Sequence, residues 1–152
     1  ITGSFYESKY KAMDNIECNT RYNNNFITNF IGGKEYKVGK NKTDVIVTDI
    51  KLVWSGGPRF THIDVEKSRI QKTTVFDLAN MYTEKGPDYF KLNFKIGYRK
   101  NNKKSSHYIF LDLQNITNHK NIASQYYNPI KNEIFTYYQL GFLPILNYRV
   151  QF

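Results

Sequence analysis

Side chains able to do chemistry are few and poorly grouped. His62, Asp64 and Glu66 share one short stretch, but no second histidine lies near enough in sequence to complete a metal site. Cys18 is the single cysteine. An internal disulfide is therefore ruled out, and no partner motif makes Cys18 a nucleophile or a ligand. No catalytic role, metal or cofactor is expected. What remains is charge: 22 Lys and Arg stand against 13 Asp and Glu, a net +9, with a pI near 9.5. Such a balance raises nucleic acid as a partner. Here the basic residues are spread over turns, loops and one parity of alternating stretches, and only Arg99, Lys100, Lys103 and Lys104 cluster. That cluster reads as a solvated basic turn. Asn115-Ile-Thr117 fits a glycosylation sequon, a match that carries little by itself.

The elements that position these residues are strands. Tyr (13) and Phe (11) are abundant while Pro (4) and Met (2) are scarce, which favours β structure. No apolar run approaches the roughly 18 residues of a transmembrane helix. Five stretches alternate with a period of two, the mark of a strand with one apolar side. They are Phe26 to Val38, Asp44 to Ser55, Asp88 to Arg99, Ser106 to Thr117 and the closing stretch Phe135 to Phe152. A truncated strand is expected in residues 1–8. In the clearest stretch Phe90, Leu92, Phe94, Ile96 and Tyr98 oppose Lys91, Asn93, Lys95, Gly97 and Arg99. A Lys or Arg placed in lipid at the bilayer midplane costs about 2–4 kcal/mol, so the charged parity must face away from lipid if these strands cross a membrane.

The connections alternate in length: 9–25 long, 39–43 short, 56–87 long, 100–105 short, 118–134 long. Long loops at one end and tight turns at the other are the asymmetry of an outer-membrane barrel. The irregular stretch 56–87, with at most a short helix near 77–82, is long enough to mark a functional loop. Its Arg59, His62, Asp64 and Arg69 are the candidate ligand contacts. Aromatics border the apolar parity as Phe26 and Tyr36, Phe90 and Tyr98, and Tyr138 and Tyr148, with Trp54 on the same parity. At about 3.3 Å per residue and a tilt of about 40°, such separations span roughly 20–25 Å, the height of a lipid-facing band between aromatic girdles. The fold expected is all-β: an antiparallel up-and-down fragment of a transmembrane β-barrel, with about six strands in a curved open sheet. Six strands are too few to close such a barrel, and the chain opens mid-strand without a leader, so further strands are expected before Ile1.

With these strands in place, the chain resembles the C-terminal end of the barrel of TonB-dependent outer-membrane receptors of the Bacteroidetes type. The matching stretches are T-G-S-F-Y-E-S-K-Y (2–10), N-F-I-G-G-K-E-Y (29–36), G-G-P-R-F-T-H-I-D (56–64), P-D-Y-F-K-L-N-F-K-I-G-Y-R-K-N (87–101), F-L-D-L-Q-N-I-T-N-H-K-N (110–121) and Y-Q-L-G-F-L-P-I-L-N-Y-R-V-Q-F (138–152). His62 stands where the family pattern expects a proline, and Cys18 where a basic or aromatic residue is commoner. The resemblance implies a barrel of about 22 strands closed by an N-terminal plug. A scarce ligand such as an iron chelate, cobalamin, oligosaccharide or peptide would bind the outer loops, and TonB, engaged through an N-terminal part not in this chain, would drive import. It also implies lumen-facing polar residues at Lys91, Lys95, Arg99, Asp112, Gln114 and Arg149. Tyr148, Val150 and the terminal Phe152 would form the signal read by the barrel-assembly machinery. The expected location is the outer membrane of a Gram-negative cell with a periplasmic C-terminus, and the expected partner is lipid rather than nucleic acid.

The alternative from another class is a soluble basic β-sheet module that binds nucleic acid on a stacking platform. Its polar strand faces should carry aromatics among the lysines. The clearest stretch instead keeps its aromatics on the apolar parity. A complete small barrel built from several chains would need a Met start and a signal sequence.

Overall fold

The computed structural model describes residues 1–11, 13, 15–40 and 42–152. The parts of the predicted connections 9–25 and 39–43 that fall on Ala12, Asp14 and Asn41 lie outside the described residues. Strand accounts for 57% of the described residues and helix for 7%, so the fold is all-β. In order, the elements are β1 (Thr2–Phe5), β2 (Lys9–Lys11), β3 (Glu17–Asn19), β4 (Phe26–Val38), β5 (Asp44–Ser55), β6 (Arg59–Phe60), helix α1 (Val65–Gln71), a 3-10 turn (Leu78–Asn80), β7 (Glu84–Lys85), β8 (Tyr89–Asn101), β9 (Ser106–Gln114), β10 (Ile122–Asn128), β11 (Glu133–Tyr138) and β12 (Leu143–Gln151).

Six strands form one antiparallel sheet in the order β1-β4-β5-β8-β9-β12, each beside the next sheet strand in sequence. The short turns are built for reversal: Gly39 takes φ +84°, a left-handed value that favours glycine, and Lys42 N donates to the Gly39 carbonyl at 3.1 Å. Asn102 N closes the other short turn on the Ser105 carbonyl at 2.9 Å. Because strands alternate in direction, the three long connections gather at the opposite end. There each folds locally: β2 pairs with β3, β6 with β7, and β10 with β11.

Register joins the sequence parities into two faces, because directly paired residues point to the same side. Tyr36, Ile46, Tyr98, Ile109 and Tyr148 are successive partners across β4, β5, β8, β9 and β12. Gly32, Ile50, Phe94, Leu113 and Pro144 form a second such row. Thr28, Trp54 and Phe90 form a third, nearer the long connections.

Three sequence expectations change. The closing stretch Phe135 to Phe152 is two strands, β11 and β12, separated at 139–142. Gln139 N leaves to bond the Asn121 carbonyl at 2.8 Å, and Phe142 N bonds Asn118 Oδ1 at 3.0 Å, so the backbone turns although the side-chain parity carries through. Tyr138 therefore pairs with Ile122 in the loop hairpin and lies outside the six-stranded sheet. The stretch 118–134, expected as a polar loop, holds β10 and the start of β11. Finally, the connection 56–87 contains the helix α1, started by Asp64, whose carboxylate accepts from Lys67 N at 2.9 Å.

Candidate functional site

The sheet has one exposed apolar face and one polar, internally bonded face. Phe30, Tyr36, Ile50, Trp54, Ile96, Tyr98, Ile109, Leu146 and Tyr148 are all exposed on the first face, Leu146 to 70%. This apolar side is uncovered across five strands. Aromatics edge the face at both ends. Near the long connections Phe26 meets Trp54 edge-to-face with centroids 5.1 Å apart, and Trp54 Nε1 donates to Asp88 Oδ2 at 3.3 Å. Near the short turns the Tyr98 hydroxyl donates to Asp44 Oδ2 at 2.7 Å and the Tyr148 hydroxyl pairs with His107 Nδ1 at 2.7 Å. In each case the ring lies on the apolar face and its polar atom points to that end, the arrangement aromatic residues take at a membrane–water interface. Six of the seven girdle residues named from sequence thus share one face: Phe26, Tyr36, Trp54, Phe90, Tyr98 and Tyr148. Lys34 interrupts it, and its Nζ lies 5.1 Å from the Tyr36 ring centroid, reaching toward the short-turn end as a snorkelling lysine does.

The opposite face gathers all six polar residues anticipated for a lumen: Lys91, Lys95, Arg99, Asp112, Gln114 and Arg149, by the same register. Lys95 Nζ pairs with Asp49 at 2.8 Å and Arg99 with Glu35 at 3.1 Å. Lys91 Nζ donates to Gln114 Oε1 at 3.2 Å. Val45 and Val47, the two buried apolar residues of the sheet, sit on this polar side at 5% and 8% exposure. Sequence reading missed Tyr108 and Phe110 here, although a two-residue count from Asp112 would have found them. Their rings, 5.0 Å apart, fill the space above Gly97, where a Cβ would meet Tyr108 at 2.8 Å and Phe110 at 2.9 Å. Lys95 Nζ lies 5.2 Å from the Phe110 ring centroid.

At the long-connection end the loops bond to one another. Asn23, Ser68, Asn115, Asn121, Ile63 and Tyr127 are all buried there. Asn121 acts as a substitute strand partner: its Oδ1 accepts from Phe90 N at 2.9 Å and its Nδ2 donates to the Phe90 carbonyl at 2.8 Å. Asn115 Nδ2 donates to the carbonyls of His119 and Leu140. The Asn-rich segments look solvated in sequence, yet their amides replace backbone partners and tie the loops together.

The four predicted ligand contacts separate. Asp64 is committed to capping α1 and to Lys67 Nζ at 2.9 Å, and the Lys67 backbone N–H, then its ammonium, hold the carboxyl below its ordinary range. Arg69 pairs with Glu66 at 2.9 Å on the exposed helix face. His62 Nδ1 lies 2.6 Å from Glu84 Oε1, and this hydrogen bond holds the imidazole above its ordinary range. Arg59 lines a cavity. That cavity, of about 240 Å³, is enclosed by Arg21, Arg59, Phe60, Thr61, Phe76, Leu78, Met81, Tyr82, Ser124 and Gln125, drawn from all three long connections. A second, of about 270 Å³, lies between the loops and the top of the polar sheet face and includes Arg21, Ser55 and Tyr89.

Phe152 lies just past β12 and is 99% exposed, with Tyr148 and Val150 on the strand itself. Comparison with family models, curated proteins and solved structures returns no match.

Proposed function

We propose that this chain is a wall segment of an outer-membrane β-barrel, belonging to a TonB-dependent importer of a scarce extracellular ligand. The observation that carries the reading is the sheet's inversion: an aromatic-edged apolar face lies open, and the polar face holds the ion pairs and the buried valines. In water that arrangement leaves a large apolar area exposed; against acyl chains the same face is satisfied. The long connections, packed together at one end, support an extracellular ligand-binding surface. In this reading β1 and β12 pair with further strands and the barrel encloses the polar face. Lipid covers the apolar one, and Tyr148, Val150 and Phe152 serve the assembly machinery. The residue-level resemblance described above is what directs the reading to TonB-dependent receptors among barrels. The test is fractionation of source cells followed by gel analysis of this C-terminal epitope with and without boiling. A heavy, outer-membrane band that shifts on heating is expected; a soluble, unshifting band at 18.0 kDa would overturn the reading.

A second reading, nucleic-acid binding, is favoured by one observation: Tyr108 and Phe110 lie on the same face as Lys95, Arg99 and Arg149, as a stacking platform requires. It leaves the apolar face without a role. Salt-sensitive retention of single-stranded DNA by the purified chain, lost in Tyr108→Ala and Phe110→Ala, would support it over the barrel.

A further inference from the structure

The cavity among the long connections is lined by two arginines beside a group of apolar side chains. Arg59 is fixed by its Nε, which donates to the Asn23 carbonyl at 3.2 Å, and by Nη1, which donates to the Thr83 carbonyl at 3.4 Å. Arg21 is fixed by Nη2, which donates to the Ala123 carbonyl at 2.8 Å, and the two backbones join through Arg59 N and the Arg21 carbonyl at 2.9 Å. Backbone carbonyls orient both side chains without neutralising them. Among the described residues neither arginine is in an ion pair; Asp64 and Glu66 pair with Lys67 and Arg69, Glu84 lies against His62, and the Asp77 carboxylate, between Phe76 and Leu78, accepts from Ala79 N and Asn80 Nδ2. Arg59 Nη2 and Arg21 Nη1 are left without a protein acceptor among the described residues. The rest of the lining is mixed, with Phe60, Phe76, Leu78 and Met81 on one hand and Thr61, Tyr82, Ser124 and Gln125 on the other, and Phe76 and Leu78 are exposed, so the cavity opens on their side. About 150 Å³ is enough to hold a benzene ring, so about 240 Å³ has room for a ring or short acyl group together with its charged end.

We infer that this cavity binds a small organic anion, a carboxylate or acidic ester carried on an aromatic or acyl body. Its charged oxygens meet the free donors of Arg21 and Arg59, and its apolar body lies against Phe60, Phe76 and Leu78. Planar guanidinium donors favour carboxylate and phosphate oxygens. The apolar part of the lining favours an anion with an organic body over a strongly hydrated inorganic ion. Arg21 also lines the second cavity above the polar sheet face, so the same cation serves the outer pocket and the space beneath it. The inference rests on the importer reading for its biological sense, since it names the ligand class those loops would take, but the cavity can be tested without it.

The experiment is calorimetric titration of the full chain in zwitterionic micelles with naphthoate and with the neutral naphthamide, using chain-free micelles as the blank. Saturable binding of naphthoate is expected, at least about tenfold tighter than naphthamide, the size expected of one lost charge-assisted hydrogen bond. Arg21→Gln should weaken naphthoate about tenfold and leave naphthamide unchanged. Leu78 is exposed at the mouth and tolerates charge, so Leu78→Glu should weaken naphthoate and Leu78→Lys strengthen it. Equal binding of the two probes, no saturable binding, or indifference to the charge at Leu78 would each overturn the inference. Binding by a chain that fails the heating test would sink the barrel and keep the cavity; a heat-shifted chain that binds neither probe would do the reverse.

Discussion

The sheet and the loop layer solve burial in opposite ways. In the loop layer Ile63 and Tyr127 are 3% and 2% exposed, and the asparagine amides are enclosed and bonded, as in any water-soluble domain. In the sheet one face is apolar and exposed, and on the other, which mixes charged and apolar residues, Val45 and Val47 are buried beside the Arg99–Glu35 pair. One chain thus carries two patterns of burial, and the boundary runs near the row of Thr28, Trp54 and Phe90. The teaching is that composition averages over this difference. With 40% hydrophobic residues the chain looks ordinary, and only the direction each side chain points separates the two regions.

Substitutions can break that contrast. The largest effect is expected from Ile50→Arg in the middle row of the apolar face, a loss of about 2–4 kcal/mol when unfolding is followed by urea titration in bilayers. Lys51→Ala, one residue along and on the other face, should change stability by less than about 0.5 kcal/mol; equal effects at the two positions would mean that neither face meets lipid. Asn121→Ala strips both partners from the Phe90 backbone and should cost about 1–3 kcal/mol. That loss should be the same in bilayers of any thickness, because it lies in the loop layer. Gly97→Ala presses a Cβ into Tyr108 and Phe110 and should cost about 1 kcal/mol, at the lower end of overpacking, measured by the same titration. The smallest effect concerns pH. His62 is held above its ordinary range by Glu84, so its brace between the 56–64 segment and β7 is fully present below the ordinary imidazole range and is lost as pH rises through the raised value. Amide protection factors at Phe60 and Glu84, which correct for the intrinsic pH dependence of exchange, should fall over that rise in the native chain and stay constant in His62→Gln.

The sheet was legible where alternation was clean. Phe26–Val38 and Asp44–Ser55 end where the parity ends, because the side chains of a strand point alternately to its two faces. The closing stretch misled for the same reason: Tyr138, Leu140 and Phe142 keep the parity of Leu146 and Tyr148 through a turn made by the side chain of Asn118, and parity is blind to backbone direction. Helix α1 carried a readable start in Asp64-Val-Glu-Lys67. Treating Asp64 as a ligand hid its capping role. The cavity was illegible, because Arg21, Phe76 and Ser124 come from different connections and meet only through loop contacts such as Arg21 to Ala123. Arg59 was found because its loop was long; Arg21 sat in an Asn-rich run that gave no signal.

The most direct test of the central claim uses Trp54, the single tryptophan, which is exposed on the apolar face. Its fluorescence should be read with the chain reconstituted in bilayers whose acyl chains carry bromine either near the headgroups or near the bilayer centre. The account predicts strong quenching by the headgroup-proximal bromine, weaker quenching by the central one and little by aqueous iodide. Quenching by iodide with indifference to both brominated lipids would mean that this face meets water, and the barrel reading would fail.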